Sequence, residues 1–232
     1  MKKSLTIVAV ADTKIIETIN ALKISSKKIK CKKVLLLSSK NINPFYSFKE
    51  LKIIKIEPLK SFKDYNHFII YHLHRYIKSS HILLVQWDGF VVNGRKWEDE
   101  FLCYDYIGAP FIPRAKNYNY SRDKFGDFYS IGNGGFSLRS LTLLKAASKY
   151  KLSDIKSRTE NHEDGFFSVF HRKFLESKGL KWAPFSLAKK FSIETPLTFR
   201  EFFDLPFGFH GKKILNMHPK ILYIRFFNNF LL

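Results

Sequence analysis

Cysteine is scarce in this sequence: Cys31 and Cys103 are the only 2 in 232 residues. They lie far apart with no C-x-x-C spacing, which excludes a disulfide framework, a zinc ribbon and a thioredoxin-type redox motif. Both read as free thiols of a reducing cytoplasm. Acid is scarce as well, with 20 Asp and Glu against 40 Lys and Arg and a formal charge of +20. An anionic partner is therefore expected, and nucleic acid, anionic lipid and a nucleoside diphosphate all satisfy that charge. Long apolar runs are missing too. The opening Met1-Lys2-Lys3 and Leu5 to Val10 are cut off by Asp12 and Lys14, too short for a signal peptide or a membrane span, so the run reads as a buried strand. No internal repeat and no interdomain linker stands out.

Apolar material is ample, at 45% hydrophobic and 16% aromatic residues, enough for one sizeable core but cramped for two. The first part of the chain, residues 1–92, alternates strand-like runs with helical spacing, the pattern of a layered α/β sheet. The strand candidates are Leu5 to Val10, Val34 to Leu37, Ile53 to Ile56 and Ile82 to Val85. Between the first pair, Ile15, Ile16, Ile19 and Leu22 share a helical face, with Asp12 or Thr13 as N-cap. Between the last pair, Tyr65, Phe68, Ile69, His72, Leu73 and Tyr76 predict a second helix capped at Asp64. In open sheets ligands gather beyond the carboxyl ends of the strands, which directs attention to Ala11-Asp12-Thr13 and Gln86-Trp87-Asp88-Gly89. Residues 93–211 are polar, aromatic and glycine-rich and are expected to build the site rather than the sheet. Leu141, Leu144 and Ala147, and then Phe166, Phe170 and Phe174, mark two more helices there. Arg114 to Asp127 reads as a mobile loop.

Four groups of residues could carry chemistry. Asp88-Gly89 closes a buried strand: the carboxylate can hold a divalent metal, although Asp-Gly is also an ordinary turn pair. Gly132-Asn133-Gly134-Gly135-Phe136-Ser137-Leu138-Arg139-Ser140 enters a helix and lets backbone approach a ligand closely. It lacks the third glycine of a dinucleotide fingerprint and the lysine of a Walker loop. His162-Glu163-Asp164-Gly165 places paired acids at a helix start, where the helix dipole alone already favours them. Phe207-Gly208-Phe209-His210-Gly211 sets a histidine among glycines, a residue that is more often a surface or core histidine than a ligand.

In this order the four match the GT-A glycosyltransferase core: a D-x-D-like motif, a glycine loop, an x-E-D motif and a C-terminal histidine. Together with Tyr104-Asp105-Tyr106-Ile107-Gly108-Ala109-Pro110 and Phe191-Ser192-Ile193-Glu194, they resemble an uncharacterised bacterial family of GT-A-type glycosyltransferases. The likeness extends from about Ile82 to Gly211. It departs at Gln86, where the first acid of a full D-x-D is missing.

That resemblance implies a single α/β GT-A domain, a Rossmann-like mixed sheet flanked by helices, with 1–92 as the nucleotide-sugar-binding half and 93–211 as the acceptor and catalytic half. It implies transfer of a sugar from a nucleotide-sugar donor to a glycan or lipid-linked acceptor in surface-glycan synthesis, lipopolysaccharide or capsule. Asp88 and His210 would hold Mn²⁺ or Mg²⁺. Ala11, Asp12, Thr13, Gln86, Trp87 and Asp88 would bind the donor, and Asn133, Gly134 and Gly135 would line donor or acceptor. Asp164 would be the general base of an inverting transfer, with Glu163 orienting sugar hydroxyls. A non-catalytic sugar- or nucleotide-binding relative is the alternative that Gln86 suggests. A nucleic-acid-binding protein is the alternative that the charge suggests, and the scatter of basic residues along the whole chain speaks against it.

The tail, 212–232, joins Lys212, Lys213, Lys220 and Arg225 to Ile221, Leu222, Tyr223, Ile224, Phe226, Phe227, Phe230, Leu231 and Leu232. It either meets an anionic membrane surface, making the protein cytoplasmic and peripheral on the inner membrane, or packs on the core as a last strand or helix.

Overall fold

The computed structural model describes residues 3–111, 121–123, 125–153, 162–195 and 203–229. The four expected strands are present as β1 (Leu5–Val10), β2 (Lys33–Ser38), β3 (Leu51–Lys55) and β4 (His81–Leu84). They pair in parallel, with β1 between β2 and β4. Two further strands, β5 (Tyr106–Gly108) and β6 (Ser137–Ser140), complete a six-stranded sheet in the order β3-β2-β1-β4-β6-β5. β6 runs antiparallel to both β4 and β5, so the sheet is mixed. The expectation that residues 93–211 leave the sheet alone is corrected here. These strands are too short to show a period, and β6 hides a fully buried arginine, Arg139. The glycine loop consequently runs into a strand first, and helix begins only at Leu141.

Side chains of the central strands alternate between two cores, because both faces of the sheet are covered. Ile7, Ala9, Val34, Leu36, Leu83 and Val85 pack with Ile19 and Leu22 of helix α1 (Ile15–Lys28). Val8, Val10, Leu35, Leu37, Ile82 and Leu84 pack with Phe68 and Ile69 of helix α2 (Phe62–Tyr71). Ile16, expected on the buried face of α1, is 41% exposed.

Neither predicted cap is the cap in use. Lys14 precedes α1 in the left-handed region at φ 53° with no side-chain capping bond, since Asp12 is bonded elsewhere. For α2, Ser61 accepts the Asp64 N–H, and the Asp64 carboxylate accepts the Lys60 N–H in return, a reciprocal arrangement close to a capping box. The third helix, α3 (Leu141–Lys149), is capped by Ser140, which accepts the Leu143 N–H.

The tail packs on the core as helix. Lys212–Met217 and Pro219–Asn229 are helical, and Ile214, Leu215 and Ile221 join Ala21 and Ile24 of α1 and Phe90, Val92 and Phe209 in a third apolar cluster. Phe230, Leu231 and Leu232, the side chains of Arg225, Phe226 and Phe227, and most of the Arg114 to Asp127 loop lie outside the described residues. Among the described residues no helix is long and apolar enough to cross a membrane. Cys31 and Cys103 are free.

Candidate functional site

The chain leaves β1 toward β2 on one side, and β4 lies on the other, so the sheet order switches direction between β1 and β4. A crevice opens beyond their carboxyl ends. A cavity of about 390 Å³ sits there, lined by Ala11, Asp12, Thr13, Gln86 and Trp87 and walled by Leu59 to Phe62 and Tyr65. Phe62 stands 60% exposed at its edge, stacked on Tyr65. Trp87 has the ammonium groups of Lys14 and Lys212 at 5.8 and 5.5 Å from its ring.

Asp12 holds this wall together. Its carboxylate accepts hydrogen bonds from Ser38 Oγ (3.0 Å), Ser39 N and Oγ (both 2.7 Å) and Leu59 N (2.8 Å), tying the end of β2 to the segment before α2. Burial pushes its pKa up, but these bonds together hold it below the usual carboxylate range.

Beyond β4 the chain reverses tightly: Gln86 and Gly89 exchange both backbone hydrogen bonds at 3.1 and 3.0 Å, so Trp87 and Asp88 form the centre of a turn that Gly89 closes. That turn buries Asp88, whose Oδ1 accepts no hydrogen bond among the described residues and faces His210 Nε2 at 3.7 Å. The same Nε2 lies 3.3 Å from Gln86 Oε1, and His210 Nδ1 lies 3.3 Å from Glu194 Oε1. Burial lowers the His210 pKa, but the bond to Glu194 and the charges of Glu194, Asp88 and Asp164 outweigh it and raise it above the usual histidine value. Gln86 spans the two parts of the site, donating from its amide to Tyr65 Oη at 2.8 Å on the cavity side.

The glycine loop is tight because Gly132, Gly134 and Gly135 leave no room for a side chain. A Cβ on Gly135 would lie 2.0 Å from His210 Nε2, and one on Gly134 would lie 2.2 Å from Glu163 Oε1. Asn133 is buried, and its Oδ1 accepts no hydrogen bond among the described residues. Behind the loop, Glu163 forms an ion pair with Arg139 at 2.5 Å, the two side chains being 5% and 0% exposed. Arg139 also donates to Ser137 Oγ and Gly134 O and lies over the Tyr106 ring. Burial disfavours its charge, but the Glu163 carboxylate more than compensates and keeps it protonated. Burial and Glu163 push the Tyr65 phenol up as well, so it stays neutral. Asp164 takes another direction: Gly134 N donates to its Oδ2 and Gly165 N to its Oδ1, at 3.2 and 2.7 Å. A π-helical turn, Phe166–Phe170, follows at once.

The residues fit a divalent ion. A buried carboxylate oxygen without a hydrogen bond faces an imidazole nitrogen, and Mg²⁺ in such sites takes one or two protein ligands with substrate phosphates and water completing the shell. Among the described residues no set of three or more His, Cys, Asp and Glu side chains could hold a metal, and Asp88 and His210 are a pair, not a closed cage.

The structure thus brings the expected residues into two adjoining groups. Ala11, Asp12, Thr13, Gln86 and Trp87 line the cavity, whereas Asp88, Gly134, Gly135, Asp164 and His210 meet beyond Gln86. Tyr65, Arg139 and Glu194 belong to the same network and carried no assigned role in the sequence. Tyr65 counted only toward helical periodicity, and Arg139 and Glu194 stood inside strings whose resemblance assigned no role to them. Only the pairing of distant segments could reveal them.

The fold is found in solved structures. A crystal structure of the galactosyltransferase LgtC in complex with donor and acceptor sugar analogues superposes with a TM-score of 0.58 at 13% identity, covering 97% of this chain and 95% of that one. An active-site mutant of LgtC gives a TM-score of 0.52 at 12% identity, covering 88% and 86%. At such identities the likeness is one of fold, and the fold is GT-A. No curated protein matches in sequence. A family model described as a protein of unknown function, DUF5672, matches residues 49–210.

Proposed function

Because the chain belongs to the DUF5672 family, described as of unknown function, its activity has to be argued from its site, and we propose that it is a glycosyltransferase that moves a sugar from a nucleotide-sugar donor to an acceptor hydroxyl. The observation that carries this reading is Asp88 Oδ1, buried and without a hydrogen bond, 3.7 Å from His210 Nε2 beside the cavity at the switch point of the sheet. The GT-A fold, shared with a galactosyltransferase, supports it.

In this reading the cavity takes the nucleoside, with Phe62, Tyr65 and Trp87 as its apolar surfaces and Asp12 keeping the wall in shape. Asp88 and His210 hold a divalent ion that, when bound, supplies positive charge to the leaving diphosphate. Asn133, Gly134 and Gly135 let the donor sugar or acceptor lie against backbone. Asp164, oriented by the Gly134 and Gly165 N–H groups, takes the proton of the attacking hydroxyl on the face of the sugar opposite the diphosphate, giving inversion. Glu163, paired with Arg139, positions the loop and its neighbouring acid.

Donor hydrolysis across UDP-, GDP-, CMP- and dTDP-sugars, with Mn²⁺ and with chelator, tests the proposal. Metal-dependent release from one donor, lost in Asp88→Ala, is the expected result. Tight donor binding without release, with or without acceptor sugars, would leave a sugar-nucleotide-binding protein instead, the second reading favoured by Gln86 in place of an acid.

We also propose that the protein works against an anionic membrane. Met217, Leu222 and Tyr223 are 58%, 43% and 62% exposed in the tail that carries Lys212, Lys213 and Lys220, and Phe203, ahead of that tail, is 51% exposed. Each basic side chain near such a surface contributes roughly 1 kcal/mol, a pull that salt screens. The full chain should float with phosphatidylserine-containing vesicles at low salt and not with neutral ones; sedimentation apart from both would refute the membrane reading.

A further inference from the structure

We propose that Glu194 is the positioning residue of this centre, holding His210 by Nδ1 so that Nε2 stays turned toward Asp88. The proposal deepens, and rests on, the reading of Asp88 and His210 as the residues that hold a divalent ion.

The placement follows from the backbone. β7 (Ser192–Ile193) and β8 (Gly208–Phe209) run parallel, with Ser192 opposite Gly208 and Ile193 opposite Phe209. His210 N donates to Ile193 O at 2.9 Å, continuing the register by one residue. Glu194 and His210 therefore emerge side by side, and Glu194 Oε1 reaches His210 Nδ1 at 3.3 Å. Gly211, at φ 108°, has no side chain to intrude; a Cβ there would lie 3.6 Å from Glu194 Cγ.

Gln86 Oε1, 3.3 Å from Nε2, favours the same orientation from the opposite edge of the ring, and the glycines around it do not choose between the two. Gly135 and Gly89 press on its Nε2 and Cδ2 edges by shape alone. A half-turn of the ring about its Cβ–Cγ bond would exchange Nδ1 with Cδ2 and Nε2 with Cε1, and shape tells these atoms apart poorly. A carboxylate facing Nδ1 distinguishes them, because carbon offers it no strong hydrogen bond. Once Nδ1–H is committed to Glu194, Nε2 is the nitrogen whose proton a metal ion can replace, and it stands 3.7 Å from Asp88 Oδ1. Glu194 thus acts through His210: among the described residues no third His, Cys, Asp or Glu side chain joins the pair as a ligand.

The test uses the full chain, histidine-labelled with ¹⁵N, as wild type, Glu194→Gln and Glu194→Ala. Glu194 is 37% exposed at its side chain, so both variants should fold. In the metal-free wild type the His210 Nδ1 resonance should report a hydrogen-bonded N–H. It should lose that signature in Glu194→Ala and keep it, weakened, in Glu194→Gln. Mn²⁺ titration followed by electron paramagnetic resonance should show affinity reduced about 10- to 100-fold in Glu194→Ala, the usual effect of removing such a partner, and less in Glu194→Gln. An unchanged His210 spectrum in Glu194→Ala overturns the proposal, as does unchanged Mn²⁺ affinity where wild type binds and Asp88→Ala does not. If wild type binds no Mn²⁺ the metal reading falls by itself, and the nitrogen spectrum alone decides the role of Glu194.

Discussion

The two neighbouring acids should separate cleanly on mutation, and Glu163 offers the sharper test. Its side chain is 5% exposed and sits 2.5 Å from Arg139, which is wholly buried. Glu163→Gln keeps the shape and removes the charge, leaving a guanidinium without its counter-ion away from water. Breaking a buried pair from one side costs about 3–5 kcal/mol. Ser137, Gly134 O and the Tyr106 ring still receive Arg139, so the lower half of that range is expected. For a domain of this size each kcal/mol lowers the midpoint by roughly 2–4 °C, so Glu163→Gln should melt about 6–16 °C below wild type. Urea unfolding followed by tryptophan fluorescence gives the same difference as a free energy. Glu163→Gln/Arg139→Met, which removes both charges, should recover part of the loss. Asp164→Asn, in contrast, turns an amide donor toward one of the two backbone N–H groups its carboxylate accepts, at a cost of about 1–3 kcal/mol, and should lose about 10²- to 10⁴-fold in turnover. A Glu163→Gln variant within about 1 kcal/mol of wild type would mean that another group balances Arg139, and the structural role given to Glu163 would be wrong.

Gly135→Ala should fold but displace His210, since the new methyl would lie 2.0 Å from Nε2; metal-dependent turnover should fall about 10²-fold, and wild-type turnover would contradict the packing. Asp12→Asn turns an acceptor toward Leu59 N–H into a donor and should cost about 1–3 kcal/mol at neutral pH. Because the folded-state pKa of Asp12 is depressed, its contribution is present above the ordinary carboxylate value of about 3.9 and is lost as pH falls through the lower folded value. The gap between wild type and Asp12→Asn in urea unfolding should therefore narrow in acid, and a gap that widens would refute the assignment.

What the sequence made legible was whatever repeats along it. β1, β2 and β4 are continuous apolar runs, because both faces of a central strand are buried, and α2 shows its period through Tyr65, Phe68 and Ile69, with Leu73 following in a separate 3-10 turn. β5 and β6 escaped notice because three or four residues carry no period, and because a fully buried arginine contradicts the hydropathy of a core strand. The expected caps of α1 failed for a related reason. A single Asp before a helix can bond forward into it or across to another strand, and Asp12 bonds across, to Ser38, Ser39 and Leu59. Residues of four different motifs, Asp88, Gly135, Asp164 and His210, do come together in space. Their division of labour needed distances: only those separate Glu163, paired with Arg139, from Asp164, held by two backbone N–H groups.

Gln86 shows why a departure from a motif has to be weighed in its surroundings. A carboxylate there would stand where Oε1 now lies, 3.3 Å from His210 Nε2, and would add a fourth acid to Asp88, Asp164 and Glu194 around one imidazole. Like charges at such distances oppose one another by several kcal/mol in a medium less polarisable than water, so two adjacent acids require a metal ion before both can remain ionised. The neutral amide removes that requirement. It accepts from His210 at one end and donates to Tyr65 at the other, so the centre is ordered before any ion arrives. In the proposed metal reading, the consequence would be a site with fewer charges to attract an ion but less reorganisation on binding one. In that balance Asp88 supplies the attraction, and Gln86, with Glu194 behind His210, supplies the order.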